Sequence, residues 1–150
     1  MIYWITGQPG AGKTIISNLL YNYLKEKDPS SQIFKIDGDE IRNLFSNKDY
    51  SILGRIENIS TAQKISQYLD SQGFTSIVSL ISPYIDQREE FKNIMGEHIK
   101  EIYLHTSNKR TRDEYKVENY QPPKMNFIDI DTTIDYPENS LLKIVKMLDL

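Results

Sequence analysis

Apolar residues along this 150-residue chain follow two alternating rhythms. Short unbroken apolar runs, typical of strands buried on both faces, take turns with stretches where apolar residues return every three or four positions, as on amphipathic helices. Ile2–Thr6 is the first run, and a helix is expected from Lys13 to about Lys25, with Ile15, Ile16, Leu19, Leu20, Tyr23 and Leu24 at helical spacing. Asp28-Pro29-Ser30-Ser31 breaks that helix, and Ile33–Ile36 reads as a short second strand. Asp39 is expected to cap a brief helix through Phe45, and Ile52, Ile56, Ile59, Ala62, Ile65 and Leu69 mark one face of a long helix stopping near Gly73. Phe74–Ile81 is a third strand, Pro83 opens a helix running to about Met95, and Ile99–Leu104 and Phe127–Ile130 are strands four and five. Leu141, Leu142, Ile144, Val145 and Leu148 form a last amphipathic helix.

This alternation predicts an α/β fold, a doubly wound sheet of about five parallel strands with helices on both faces. Residues 1–150 read as one domain. Thr106–Asn126 is long for a plain connection, so it is expected to be a functional flap or lid.

Composition narrows the function classes. The 39% hydrophobic and 26% charged fractions are those of a globular chain. A net charge of −3 gives no footprint for bulk nucleic acid or an anionic membrane, though it leaves room for a local basic pocket. No apolar stretch reaches the length of a membrane span, and the chain opens on a strand, so a cytoplasmic setting is expected. The absence of cysteine excludes disulfides, thiolate nucleophiles and cysteine-based zinc sites.

Chemistry enters between the first strand and the first helix. Gly7-Gln8-Pro9-Gly10-Ala11-Gly12-Lys13-Thr14 satisfies the phosphate-loop pattern G-x-x-x-x-G-K-[ST] in its proper strand–loop–helix setting. Glycines let successive backbone N–H groups face phosphate oxygens, while the helix adds the positive end of its dipole. Lys13 is expected to reach the β- and γ-phosphates of ATP, and the Thr14 hydroxyl to hold Mg²⁺. The alternative is a glycine-rich turn entering a helix.

A phosphate loop alone does not separate kinases, GTPases and motor-type ATPases. The chain has no Asn-Lys-x-Asp element to read guanine, since Asn47-Lys48-Asp49 is one residue short and follows a helix. The third strand runs Ser79-Leu80-Ile81-Ser82 without the terminal acid a motor-type ATPase needs. Asp37-Gly38-Asp39 instead ends the second strand, where ligands of such sheets collect. One aspartate could order Mg²⁺ while the other accepts a proton from an attacking hydroxyl. Arg42, three residues on, could hold an anionic acceptor. The alternative leaves Asp39 as a helix cap and Arg42 solvated. A small-molecule kinase fits best.

These residues resemble the adenylylsulfate (APS) kinase family over nearly the whole chain. The matching elements are the phosphate loop, Asp37 to Arg42, Arg55-Ile56-Glu57-Asn58, Ile81-Ser82-Pro83-Tyr84 followed by Arg88, Tyr120-Gln121-Pro122-Pro123, and Ile130-Asp131-Thr132. The resemblance implies a P-loop kinase that moves the γ-phosphoryl of ATP to the ribose 3′-hydroxyl of APS. Asp37 or Asp39 is then the catalytic and magnesium-organising acid, with Arg42, Arg55, Asn58 and Ile81 toward the sulfonucleotide. Ser82 matches a serine phosphorylated in some members, yet Ser-Pro also suits a helix cap, and the cap is favoured. Phe74 and Ile81 could wall the acceptor base or simply pack. The family's lid sequence Asp-Pro-Lys-Gly-Leu-Tyr is absent, leaving Arg110 and Arg112 either to close over the phosphates or to be solvated. His98 and His105 are read as structural, and a homodimer is a further expectation. Two rivals stay open. One is a kinase for another nucleotide-linked or small hydroxyl acceptor, including a nucleoside or a polynucleotide end. The other is a non-catalytic ATP-binding regulatory protein.

Overall fold

The computed structural model describes residues 1–108 and 116–150. Its strands are β1 (Ile2–Thr6), β2 (Ile33–Asp37), β3 (Thr75–Ser79), β4 (Ile99–His105) and β5 (Phe127–Asp131). They form one sheet in the order β2-β3-β1-β4-β5, every neighbouring pair parallel. The helices are α1 (Lys13–Lys27), α2 (Gly38–Leu44), α3 (Ile52–Ser71), α4 (Ile85–Met95) and α5 (Pro137–Leu148).

Strand parity explains the two layers. On β1, Tyr3 and Ile5 point to one face and join Ile16 and Leu20 of α1 and Ile144 of α5. Ile2 and Trp4 point to the other and join Ile41 of α2, Ile59 and Ala62 of α3 and Phe91 of α4. All five residues of β1 are therefore buried, which is why this strand reads as an unbroken apolar run. The first loop leaves the carboxyl end of this central strand, flanked by β3 and β4.

Three expected features are corrected. Asp37, not Asp39, caps α2, because its carboxylate accepts the Asp39 N–H. Both aspartates suit a cap, but the β2 backbone carries extended geometry through Asp37 (φ −101°, ψ 139°), so the helix starts one residue later. The α3 stripe is buried only from Ile59 onward, whereas Ile52 and Ile56 at its start are 65% and 37% exposed. The third strand stops at Ser79, and neither Ser82 nor Pro83 begins α4. Ser82 lies at φ +44°, Pro83 O accepts from Gln121 N, and the Gln121 side chain takes the first N–H of α4, that of Ile85. A glutamine from the flap return thus caps this helix, and the Ser82 side chain is spared.

Candidate active site

The loop conformation follows from its glycines. Gly7, Gly10 and Gly12 have φ of +149°, +84° and +95°. A Cβ at Gly7 would sit 2.2 Å from Leu104 O on β4, so only glycine fits there. Gln8 to Ala11 forms a turn closed by Ala11 N to Gln8 O (3.2 Å), with proline second and a positive-φ glycine third, the pattern of a type II turn. Thr132, just after β5, braces the loop by donating to Ala11 O and His105 O. The N-terminus of α1 has no side-chain cap and no acid in its first turn. Its orphan N–H groups are therefore available to an anion. Lys13 Nζ donates to Gly7 O and Gln8 O, each at 2.9 Å, and Thr14 is exposed at the head of the helix.

Asp37 stands at the end of β2, two strands and so about 10 Å across the sheet from β1. Its Oδ1 accepts from Asp39 N (2.9 Å) and its Oδ2 from Ser79 Oγ (3.2 Å), which fixes the carboxylate. Asp39 is exposed, and its carboxylate has no partner among the described residues. Gly38 between them permits the close packing of α2 on β3, since a Cβ would lie 2.9 Å from Leu80 Cβ. Among the described residues no three or more metal-ligating side chains cluster. A Mg²⁺ held by a threonine hydroxyl, phosphate oxygens and water needs no such cluster, and Thr14 and Asp37 suit that mode.

The structure gathers Arg42 and Arg55 around one residue, Tyr50. The Arg42 guanidinium stacks 4.3 Å from the Tyr50 ring and donates to Asn47 O, Asn47 Oδ1 and Asp49 O. Arg55 Nε donates to Tyr50 O (2.9 Å), leaving its other two nitrogens without a partner among the described residues. The Ser51 hydrogen bonds, and then the Arg42 charge, hold the Asp49 carboxyl below its ordinary range. Asn58 is buried and donates to Gly38 O (3.2 Å), and its Oδ1 has no partner among the described residues. Ser82 is 2% exposed, its Oγ likewise has none among them, and Ile81 O beside it accepts from Thr6 Oγ1 (2.6 Å). A buried polar atom of this kind can complete its hydrogen bonds with water or a ligand.

Arg88, matched by resemblance alone, has a structural setting. It is 2% exposed and paired through Nε with Glu101 Oε1 of β4 (2.7 Å), while Lys92 holds the other oxygen (2.6 Å). Its remaining nitrogens donate to Ser82 O and Gln121 O. Tyr120 stacks on Tyr103 and bonds Thr6 Oγ1 (2.8 Å). Thr6 gives its one hydroxyl hydrogen to Ile81 O, so Tyr120 is the donor of that pair, and burial pushes its phenol well above the ordinary value. His98 pairs with Asp70, and His105 stacks on Tyr103 and lies 3.2 Å from Asp129. Arg110 and Arg112 lie outside the described residues.

Sequence reasoning missed one place. A cleft of about 80 Å³ lies beside Gly12 and Ile15, walled by Thr132, Asp135, Pro137 and Ser140 of the β5–α5 turn. Ser140 is fully buried, and its Oγ has no partner among the described residues. The signal was the Asp131-Thr132 pair after β5, although it gave no reason to continue as far as Ser140. Such a cleft adjoining the phosphate loop could take the base of a nucleotide.

Comparison with known proteins agrees with this geometry. The adenylylsulphate kinase family model matches residues 1–145. The chain is 31% identical to an adenylyl-sulfate kinase of Pseudomonas aeruginosa, over 99% of this chain and 85% of that one. It is 30% identical to a cytidine diphosphoramidate kinase of Campylobacter jejuni, over 94% and 84%. The fold superposes on the Mycobacterium tuberculosis APS kinase solved with AMPPNP and APS, with a TM-score of 0.83 at 21% identity, covering 99% of this chain and 97% of that one. Among the described residues no helix is long and apolar enough to cross a membrane. The chain belongs to the adenylylsulphate kinase family and is an ATP- and Mg²⁺-dependent phosphotransferase.

Proposed function

We propose that this enzyme transfers the γ-phosphoryl group of ATP to the 3′-hydroxyl of adenylylsulfate. The observation that carries the reading is the division of labour in the acid pair. Asp37 is tied down by Asp39 N and Ser79, while the Asp39 carboxylate is unpartnered among the described residues. Asp39 is then the group that accepts the hydroxyl proton, and Asp37 orders the metal's water shell with Thr14. Held there, Mg²⁺ would supply charge neutralisation to the transferring phosphate. Lys13 exchanges the carbonyls of Gly7 and Gln8 for phosphate oxygens, and the α1 amides hold the transferred group in place. Arg42, Arg55, Asn58, Ile81 and Ser82 face the acceptor, with the free nitrogens of Arg55 toward its anionic part. Gly7 to Thr14 serve the triphosphate. A homodimer, a cytoplasmic setting and a single domain with a flap near 106–126 belong to the same proposal.

A second acceptor is favoured by one specific observation. The Campylobacter jejuni relative, matched over 94% of this chain, carries a different nucleotide-linked substrate in its name. The shortened flap sequence points the same way. The test is ADP release from ATP–Mg²⁺ with APS, a cytidine diphosphate derivative, a nucleoside and an oligonucleotide end offered in turn, and mass analysis of the product. APS-dependent release with a 3′-phosphorylated product supports the first reading, and release only with the cytidine compound moves the assignment to the second. Tight ATP binding with no release for any acceptor returns the chain to a regulatory binding role.

A further inference from the structure

The geometry points to Gln8 as a positioning residue that couples the phosphate loop to the acceptor-side turn at Ser82, acting through residues 117–121. The Gln8 side-chain amide bonds the Val117 main chain in both directions, Nε2 donating to Val117 O (2.9 Å) and Oε1 accepting from Val117 N (3.0 Å). A reciprocal pair of this kind fixes distance and orientation together, as a rung between two strands does. Three residues further on, Tyr120 donates to Thr6 Oγ1, which itself donates to Ile81 O. Gln121 then makes three contacts on the far side: N to Pro83 O (2.9 Å), Oε1 from Ile85 N (2.8 Å), and O from Arg88. Arg88 also holds Ser82 O. The segment is thus a strap, attached to the phosphate loop at one end and to the Ser82 turn at the other.

Two further features make it a coupling and not merely a brace. First, the main-chain oxygen of Gln8 accepts from Lys13 Nζ, the group that must swing to the phosphates when nucleotide binds. Loss of that contact leaves the Gln8 carbonyl held by Ala11 N alone (3.2 Å), and the side chain pinned to Val117 belongs to the same residue. Second, the far end holds Ser82 in a left-handed conformation, which a serine keeps only when its surroundings impose it. A shift of the strap changes what holds Ser82 in that conformation, three residues after the Ser79 that fixes Asp37. The inference rests on ATP occupying the phosphate loop and is independent of which acceptor the enzyme takes.

Hydrogen exchange with mass detection tests it, on the full chain with and without saturating AMPPNP–Mg²⁺. The proteins compared are wild type, Gln8→Leu and Gln121→Leu, the last removing only the Oε1 contact to Ile85 N at the far end while leaving the loop sequence unchanged. In wild type, nucleotide is expected to slow exchange about tenfold over 117–122 and 82–88 as well as over 7–14. In Gln8→Leu the slowing should persist over 7–14 and fail to reach 82–88, and in Gln121→Leu it should persist over 7–14 and be weakened over 82–88. A merely structural role would speed exchange equally with and without nucleotide. Protection over 7–14 reports nucleotide binding separately from coupling. Unchanged slowing at 82–88 in both variants, or none there in wild type despite protection of 7–14, overturns the proposal.

Discussion

The two halves of the site are built on different physical terms. On the triphosphate side, β1 is fully buried, the loop is shaped by three positive-φ glycines, and its ligand groups are mostly main-chain amides. On the acceptor side, the α2–α3 connection leaves Leu44, Phe45, Tyr50, Ile52 and Leu53 between 56% and 76% exposed. There Arg42 leans on Tyr50 and Asn58 on the Gly38 carbonyl, with the Asn58 and Ser82 side-chain oxygens lacking partners among the described residues. A phosphate chain is the same in every reaction of this type, so a rigid backbone cradle suffices. Acceptors differ, and the surface proposed to read them leaves its apolar side chains exposed.

The largest effect expected is on the acid facing the acceptor. Asp39→Asn should lower kcat by about 10²–10⁴-fold while AMPPNP binding, followed by calorimetry, stays near wild type. If Asp37→Asn is the more damaging change, the roles of the two acids are reversed. Across the divide, Lys13→Ala should lower turnover by about 10²–10³-fold with the circular dichroism spectrum unaltered, because Lys13 faces ligand and not core. Wild-type turnover in that folded variant would remove the triphosphate half of the account.

The scaffold joining the halves gives a stability prediction. Removing Arg88 from the buried Arg88–Glu101 pair leaves Glu101 with Lys92 as its one charged partner, so Arg88→Met should cost up to about 3–5 kcal/mol in urea unfolding. A loss no larger than that of a surface substitution would mean Glu101 is satisfied by Lys92 alone.

How much of this was legible in the sequence divides along the same line. The triphosphate half was legible because its determinants are local, with Gly7 through Thr14 contiguous and β1 alternating its apolar residues between two cores. The five strands and their parallel order followed from the alternation of periods. On the acceptor side Asp37, Asp39 and Arg42 were read from their place after the second strand, whereas Arg55, Asn58 and Ser82 came by resemblance alone. Ser82-Pro83 carries a cap signature, yet Gln121, far along the chain, takes the helix N–H instead. Asp37 and Asp39 are equally good caps on paper, and only the end of β2 decides between them. The start of the α3 stripe reads as core because periodicity records apolar spacing and not what lies opposite it. The Gln8–Val117 pair joins residues 109 positions apart, which no local pattern encodes.

The smallest effect expected lies at the opposite end of the sheet from the site. Burial alone raises Asp70, but the Met1 ammonium and His98 more than offset it and hold the carboxyl below its ordinary value. A carboxyl depressed in the folded state adds stability that is present above its unfolded pKa and lost as pH falls through the folded one. The urea midpoint should therefore fall below about pH 4, and Asp70→Asn should flatten part of that fall. An identical pH profile in the variant would show that other carboxylates carry it.

The separation of the two halves is tested most directly by paired steady-state kinetics on wild type and Arg55→Ala, varying ATP and APS in turn. A charge-assisted hydrogen bond is worth about 1.5–3 kcal/mol, so the account predicts a KM for APS raised about tenfold to a hundredfold and a KM for ATP left where it was. An unchanged KM for APS, or equal rises for both substrates, would contradict it.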